Sequence, residues 1–398
     1  MGRIENAEAR FGAGRARGPI AAFAVVLILI AAASAAAPGR AAAANPLAGD
    51  ASWIWYVSDS GGSGAAIGRA ARRHGLDAVF VKSGDGSNYW SQFDHGLVTA
   101  IHDRGVDVCA WQFVYGNSPK KEARIGARAV EQGADCLIID AESDYEGEYA
   151  AADAYLSKLR RAIGDRYPVA LSSFPYVDYH PAFPYSVFLG PGGAQYNVPQ
   201  LYWYAIGDPL VHAVRHTYAF NRPYDRPQFP VGQTWQDPPK RQLLGFRRLA
   251  EAYGSKGVSW WSWQDTRRKV WPRLTGRLRG SPPGPKPRVA YANLDRGDRG
   301  DLVVWAQQLL ISRRIHVRAN GRYGRKTERG VRTVQRREKL PVTGEINDAT
   351  WVALLKRKPA IMNWSKRGNP EVLKGGAPAT AALAPLADEI PTAEERVR

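Results

Sequence analysis

Two carboxylates lie two residues apart at the end of an apolar run, Leu137-Ile138-Ile139-Asp140-Ala141-Glu142. In a β-strand alternate side chains point to opposite faces, so Ile138, Asp140 and Glu142 share one face. Their carboxylates would then be about 7 Å apart along the strand. Like charges this close in a partly desolvated cleft raise the pKa of one partner, which makes it a proton donor near neutral pH. The alternative is structural: the pair binds a nearby lysine or arginine, or caps the next helix.

The elements that would position this pair repeat along the chain. Apolar or aromatic runs alternate with amphipathic stretches eight times between residues 51 and 272, and the strand-like runs are 52–57, 78–82, 106–113, 136–142, 169–174, 199–204, 228–234 and 258–264. This alternation predicts an α/β fold, a (β/α)8 TIM barrel, whose chemistry lies at the carboxyl ends of the strands. A doubly wound open sheet is the competing fold, but no glycine-rich phosphate loop follows the first strand. The proline- and glycine-rich stretch after the fifth strand predicts a long loop in place of a helix.

The other strand ends carry side chains suited to a sugar. Aromatic rings stack on the apolar faces of pyranose rings, and amide and hydroxyl groups bind sugar hydroxyls. The candidate substrate-binding residues are Lys82, Gln112, Tyr202, Tyr204, Gln233, Trp261, Trp263 and Gln264. Each aromatic residue taken singly is equally suited to barrel packing. Four further acids follow predicted strands: Asp59, Asp85, Asp178 and Asp265. Each could support the acid pair or be an ordinary loop residue. The seven histidines are scattered without metal-ligand spacing, so we expect no metal and no cofactor.

Residues 1–44 have the composition of an export signal. Arginines at 3, 10, 15 and 17 precede an uncharged stretch over 20–37, and alanine-rich candidate cleavage sites follow. An uncleaved membrane tether is the alternative, because the stretch is just long enough to span a bilayer. Either way the chain would be exported, so its net charge of +18 favours an anionic wall polymer over nucleic acid. We expect a secreted, cell-wall-associated monomer.

The two cysteines are too few for a disulfide-stapled scaffold or a zinc site built from several thiolates. Pairing of Cys109 with Cys136 is chemically permitted outside the cytoplasm, but both fall in neighbouring apolar strands, and we expect them to be buried thiols.

The composition changes after residue 276, where the barrel, assigned to residues 45–276, is expected to end. Residues 277–299 form a proline- and glycine-rich linker. Residues 300–356 return to helical periodicity and are strongly basic: 301–358 hold 14 lysine or arginine residues against 5 acidic ones. Residues 357–398, rich in alanine and proline, are expected to be a disordered tail.

The barrel motifs resemble the lysozyme-like glycoside hydrolases, in a form divergent from family 25. The resemblance rests on the Asp-Ala-Glu of residues 140–142, on Gln-Leu-Tyr-Trp-Tyr at 200–204 and on Ser-Trp-Trp-Ser-Trp-Gln at 259–264. It implies that Glu142 is the proton-donating acid and Asp140 its partner. The first strand departs from the family pattern, because it lacks an early aspartate unless Asp59 replaces it.

Residues 298–356 resemble the peptidoglycan-binding domain type 1. The motifs are Asn-Gly-Arg-Tyr-Gly at 320–324 and Leu-Pro-Val-Thr-Gly at 340–344, each followed by a threonine that starts a helix. The two segments look like an internal half-repeat of a three-helix unit, with Leu309, Val331, Trp351 and Leu354 as its core. The candidate wall contacts are Arg322, Tyr323 and Arg325.

These patterns together predict an exported glycoside hydrolase that acts on peptidoglycan. The alternative is a non-catalytic wall-binding protein whose barrel holds glycan without cutting it.

Overall fold

The computed structural model describes residues 45–283, 290–370 and 373. The expected export signal, and the expected tail from 374 onward, lie outside these residues. Within the described ranges no helix is long and apolar enough to cross a membrane.

The sheet closes into a barrel. Its strands are β1 (Gly49–Ile54), β2 (Ala78–Asp85), β3 (Asn88–Tyr89), β4 (Asp107–Val114), β5 (Cys136–Ala141), β6 (Val169–Ser173), β7 (Tyr196–Pro199), β8 (Val231–Gln233) and β9 (Gly257–Trp261). All except β3, which pairs antiparallel with β2, run parallel in the order β7-β6-β5-β4-β2-β1-β9-β8. Parallel bridges from Asn197 to Gln228 and from Gln200 to Val231 join the two ends of this order. The predicted (β/α)8 barrel is therefore confirmed.

Helices surround the barrel and follow most of its strands. They are α1 (Gly64–His74), α2 (His95–His102), α3 (Pro119–Glu131), α4 (Tyr149–Ile163), α5 (Tyr185–Phe188), α6 (Trp203–Ile206), α7 (Leu210–Asn221) and α8 (Lys240–Ala252). The segment after β6 forms only the single turn α5, because prolines at 175, 181 and 184 prevent a longer helix. The expected long loop is therefore present.

The barrel interior is filled by large aromatic side chains from alternate strand positions. Trp53 of β1 contacts Trp111 of β4 and Trp261 of β9, with ring centroids 5.6 and 5.8 Å apart. Val79 and Val81 of β2 point the other way, into the core beneath the helices. This alternation aims the last inward residues of the strands at the barrel mouth.

The sixth predicted strand is displaced along the sequence. Our interpretation placed it at 199–204, whereas β7 ends at Pro199 and α6 begins at Trp203. Proline at 199 cannot continue the ladder as a donor. Residues 200–204 therefore lie beyond the strand, and strict alternation does not apply to them.

The two cysteines form a disulfide, so the expectation of free buried thiols was wrong. Cys109 and Cys136 lie directly opposite each other on β4 and β5, with Cα atoms 4.6 Å apart. That distance is within the range a disulfide requires. The bond lies in the barrel interior, where both residues are fully buried.

The C-terminal part is helical. It contains α9 (Asp301–Ile311), α10 (Arg325–Arg337), α11 (Asp348–Leu355) and the single turn α12 (Trp364–Arg367). The four predicted core residues of this unit are all fully buried.

Two glutamines hold the predicted half-repeat in place. Gln307 on α9 accepts from the amides of Asn320 and Gly321, at 2.8 and 3.0 Å, and donates to the Thr327 hydroxyl. Gln335 on α10 accepts from the Gly344 amide and donates to the Thr350 hydroxyl in the same way. Gly321 and Gly344 have φ values of 75° and 84°, a conformation that glycine adopts at little cost.

The C-terminal unit is docked on the barrel. The Asp301 carboxylate accepts hydrogen bonds from the Tyr149 hydroxyl (2.7 Å), the Tyr224 hydroxyl (2.8 Å) and both the amide (2.7 Å) and hydroxyl (2.6 Å) of Ser186. The Trp305 indole donates to the Pro223 carbonyl. Every residue from Asp301 to Leu310 is buried.

Parts of the expected linker and tail are packed. Leu294 is buried and bridges to Ile346, and the carbonyl of Ala292 accepts from the Trp351 indole. In the segment predicted to be disordered, Trp364 is buried against Tyr149 of α4. Composition does not predict these contacts, because each is made by a single residue that packs against a segment far away in the sequence.

Candidate functional site

The acid pair lies at the mouth of the barrel and is joined by one amide. Gln200 Nε2 donates to Asp140 Oδ1 at 2.8 Å and to Glu142 Oε1 at 3.0 Å, and it also lies 3.2 Å from Ser172 Oγ. The two carboxylate oxygens are therefore at most 5.8 Å apart, the sum of the first two distances. Asp140 is 3% exposed and Glu142 9%. Both predicted catalytic side chains thus share one enclosed site.

The electrostatics of the pair favour one retained proton. Burial raises the pKa of Asp140 well above its usual range, and the charge of Glu142 raises it further. Hydrogen bonds from Ser172 and Gln200, together with the positive charge of Lys82, act in the opposite direction on this pKa. Because the carboxyl groups are close and coupled, the pair gains or loses a proton as a unit.

Lys82 lies behind the site and is enclosed. Its ammonium is over the rings of Trp55, Trp90 and Trp111, 4.3 to 4.9 Å from their centroids, and pairs with Asp85 at 2.6 Å. The side chain is 1% exposed, and its direct contact with substrate stays a prediction. Its charge supports the ionised form of the acid pair.

Aromatic side chains surround the mouth. Tyr56, Trp90, Tyr115 and Trp235 are partly buried against the interior cluster. Tyr202 is buried and packs edge-on against Trp235, with ring centroids 4.7 Å apart. The Trp55 indole N–H is buried and has no hydrogen-bond partner among the described residues. The mouth thus combines apolar ring faces with polar groups.

Of the eight predicted substrate-binding residues, the structure brings Tyr202 and Trp261 to the site. Both are members of the interior cluster, in which Trp261 also packs on Trp55. Tyr204, 43% exposed, lies in α6 beyond the strand end. It remains a candidate contact at the rim.

Two predicted glutamines have structural roles. Gln112 points outward from β4 and donates to the carbonyls of Gly86 and Glu122. Gln233 is buried and accepts from the amides of Tyr204 and Ala205, at 3.0 and 2.8 Å. Gln112 was misplaced because Trp111, not Gln112, is the inward residue at that level. Gln233 acts indirectly, by fixing the turn that carries Tyr204.

Trp263 and Gln264 also make structural contacts. The Trp263 ring packs against Trp271 and lies near His74, on the helical side of the barrel wall. The Gln264 carboxamide bonds to the backbone at the end of β1. Because β9 ends at Trp261, the predicted alternation does not extend to these residues.

The other candidate acids are occupied elsewhere or exposed. Asp178 pairs with His216 at 2.7 Å, and Asp265 accepts from the Ser262 hydroxyl at 2.6 Å. Asp59 is exposed and accepts from Ser58. Asp85 alone adjoins the site, held between Lys82 and the Tyr115 hydroxyl, which donates to it at 2.8 Å.

Sequence reasoning missed the role of Gln200, although the motif at 200–204 contains it. The available signal was Pro199: a strand that stops there places the next side chain at the mouth. Tyr115 was missed as well, although it follows β4 directly and its hydroxyl reaches Asp85.

The predicted wall contacts of the C-terminal unit are divided. Arg322 and Arg325 are exposed. Tyr323 is 1% exposed and donates to the Gly344 carbonyl at 2.6 Å, so its assignment as a wall contact was wrong. Its hydroxyl links the first half-repeat to the second.

Comparisons with known proteins concern the two parts separately. Residues 299–354 match the family described as "Putative peptidoglycan binding domain", which confirms the predicted C-terminal domain. No curated protein matches the chain in sequence. Among solved structures, the chain is similar to a chitinase from Ipomoea carnea (12% identity, TM-score 0.42, covering 57% of this chain and 98% of that one). It is also similar to the spore cortex-lytic enzyme SleL of Bacillus cereus (10% identity, TM-score 0.42, covering 57% and 73%).

A family 25 glycosyl hydrolase from Bacillus anthracis aligns less well, with 17% identity and a TM-score of 0.29 over 38% of this chain and 70% of that one. The resemblance to family 25 that the sequence suggests is therefore weak in the structure.

Proposed function

We propose that the protein is an exported glycoside hydrolase that cleaves an N-acetylhexosamine glycan of peptidoglycan. The observation that carries the proposal is the single amide of Gln200 bonded to both Asp140 and Glu142 at the mouth of a barrel. This contact holds two buried carboxyl groups side by side at the barrel mouth, where the chemistry of such barrels lies. The peptidoglycan-binding domain supports the choice of polymer.

Glu142 is the general acid and base. It is the less enclosed of the two carboxyl groups, and it lies one residue beyond β5, nearer to the opening. The proton held by the pair would pass through Glu142 to the leaving glycosidic oxygen, and Glu142 would then activate the incoming water.

Asp140 acts as its partner on the sugar. Asp140 and Glu142 come from one strand and bond to the same amide, so they do not flank the scissile bond from opposite sides. The 2-acetamido oxygen of the substrate would therefore attack the anomeric carbon in place of an enzyme nucleophile. Asp140 would orient the acetamido group and stabilise its developing positive charge, with Tyr202 as a second hydrogen-bonding group.

Substituting the acid tests the assignment. Glu142→Gln preserves shape but removes the proton donor, so release of reducing ends from purified peptidoglycan should fall about 100-fold or more. Glycan binding should stay near normal. Glu131→Gln, at an exposed position at the end of α3, is the matched control and should be fully active. A Glu142→Gln protein as active as its parent would place the active site elsewhere, and a parent without turnover would favour a wall-binding protein.

The stereochemistry of the product tests the mechanism. Attack by the acetamido group predicts a first-formed product that retains the anomeric configuration, as seen by NMR, and inhibition by a thiazoline analogue. Glycans without the 2-acetamido group should not be cleaved. An inverted product would contradict this mechanism and require a separate catalytic base.

A further inference from the structure

A groove of about 700 Å³ lies between the C-terminal end of α9 and the chain segment that carries α12. One wall is formed by residues 311–320 and the other by residues 362–370. The first wall belongs to the peptidoglycan-binding domain, whereas the second lies beyond the residues that match that family. Its size is within the range of ordinary ligand sites.

The charged residues of this groove are all basic. Arg314, His316, Arg318 and Arg367 line it, all four are exposed, and its lining contains no aspartate or glutamate. None of the four forms an ion pair with another residue of the described ranges. The groove therefore presents uncompensated positive charge to a ligand.

These cations are not used to cap the helix beside them. Arg313 does that, because its guanidinium donates to the Leu309 carbonyl at 3.0 Å and to the carbonyls of Ala353 and Leu354 at 2.6 Å. Arg313 is buried, whereas Arg314 and Arg318 are exposed. The structural requirement for positive charge at the end of α9 is met without the residues that line the groove.

The groove also has apolar surface. Ile315 and Val317 alternate with the cations along one wall, and Met362 and Trp364 contribute to the other. Trp364 is fixed by packing on Tyr149 of the barrel. A ligand that fits must combine carboxylates or other anionic groups with small apolar groups at short spacing.

We propose that this groove binds the stem peptide of peptidoglycan through its free carboxylates. The peptide combines carboxylates with small apolar side chains, whereas a glycan of N-acetylglucosamine alone lacks the charges and a polyphosphate lacks the apolar groups. The inference rests on the peptidoglycan-binding assignment and not on hydrolysis by the barrel. Failure of one therefore leaves the other standing.

Binding of a synthetic stem tetrapeptide to the full-length protein, measured by calorimetry, tests the proposal. Arg314→Gln combined with Arg318→Gln should weaken binding at least tenfold, and Arg367→Gln alone should weaken it in the same direction. Arg329→Gln combined with Arg337→Gln, which removes the same charge from exposed positions on α10, should change affinity less than twofold. Reducing-end release from a soluble chitin oligomer should be unaffected in all variants.

Each of the following outcomes would overturn the proposal. The first is an unchanged affinity in the groove variants. The second is an equal loss in the α10 control, which would show that the attraction is spread over the surface. The third is equally tight binding of the same peptide with its carboxylates amidated, or binding of polyphosphate but not peptide.

Discussion

At the residue scale, the pKa of Asp140 in the acid pair depends on two opposing effects. Burial raises this pKa, and neutral or positively charged neighbours lower it. Burial and the charge of Glu142 raise the pKa of Asp140, while Gln200, Ser172 and Lys82 lower it. Gln200 favours the ionised form because it can donate to both carboxylates but cannot accept their proton through the same nitrogen. The pH range over which the pair holds its proton is therefore set partly by a neutral amide.

Replacing this amide should shift the pH profile upward. Gln200→Met removes the shared donor, so the pKa of Asp140 should rise further and the protonated pair should persist to higher pH. We expect the alkaline limb of the kcat profile to move to higher pH while kcat at the optimum falls about tenfold or more. Gln132→Met, in which the lost carboxamide contacts His95 away from the mouth, should leave the profile in place. A shift to lower pH would contradict the assignment of the proton to this pair.

At the scale of elements, the disulfide joins two neighbouring strands of the barrel. Cys109 and Cys136 are 27 residues apart in sequence, and the loop between them contains α3. Such a link limits the freedom of the unfolded chain. It holds together β4 and β5, and β5 is the strand that carries the acid pair.

Loss of the bond should destabilise the protein without abolishing the site. From the loop length we expect Cys109→Ala combined with Cys136→Ala to lower the free energy of unfolding by about 3.5 kcal/mol. Denaturant unfolding with and without reductant measures this. The double variant should be insensitive to reductant, and a wild-type protein equally insensitive would show that the bond contributes nothing.

At the scale of the whole molecule, the peptidoglycan-binding domain is docked on the barrel. Asp301 receives four hydrogen bonds from barrel residues, and the buried face of α9 continues the same core. The peptidoglycan-binding domain and the barrel mouth therefore hold a fixed relative orientation. Two domains joined only by a flexible linker would not. The fixed orientation would restrict which bonds of an anchored polymer reach the acid pair.

Removing Asp301 should weaken this docking in a pH-dependent way. Asp301→Ala leaves two tyrosine hydroxyls and Ser186 without their buried acceptor, so the free energy of unfolding should fall by roughly 3 kcal/mol. Burial raises the pKa of Asp301 from 3.8 to about 6. A raised pKa means that the protonated form is the more stable one in the fold, so this stabilising contribution is complete below about pH 4 and lost as the pH rises through 6.

The difference between wild type and Asp301→Ala should therefore be larger at pH 5 than at pH 7. Denaturant unfolding at the two pH values measures it, and Asp295→Ala, at an exposed position in the same segment, is the control. A difference that grows from pH 5 to pH 7 would contradict the raised pKa.

The barrel, the acid pair and the C-terminal domain were predictable from the sequence because each depends on short-range pattern. Alternation within β5 places Asp140 on the inward face, and Glu142 follows the last residue of that strand directly. Turn glycines and helix-starting threonines repeat locally at 320–327 and 343–350, which was enough to identify the half-repeat. These features survive small errors in element boundaries.

Only the tertiary structure decided which side chains meet. Gln200 is 60 residues from Asp140, and its position depends on β7 ending at Pro199. An error in the predicted end of a strand changes the face to which each later side chain is assigned. The predicted strand ran to residue 264, whereas β9 ends at Trp261, and Trp263 and Gln264 were assigned to the mouth for that reason. The disulfide and the Asp301 contacts likewise depend on register and packing between distant segments, and single-sequence periodicity carries no information about which distant segments those are.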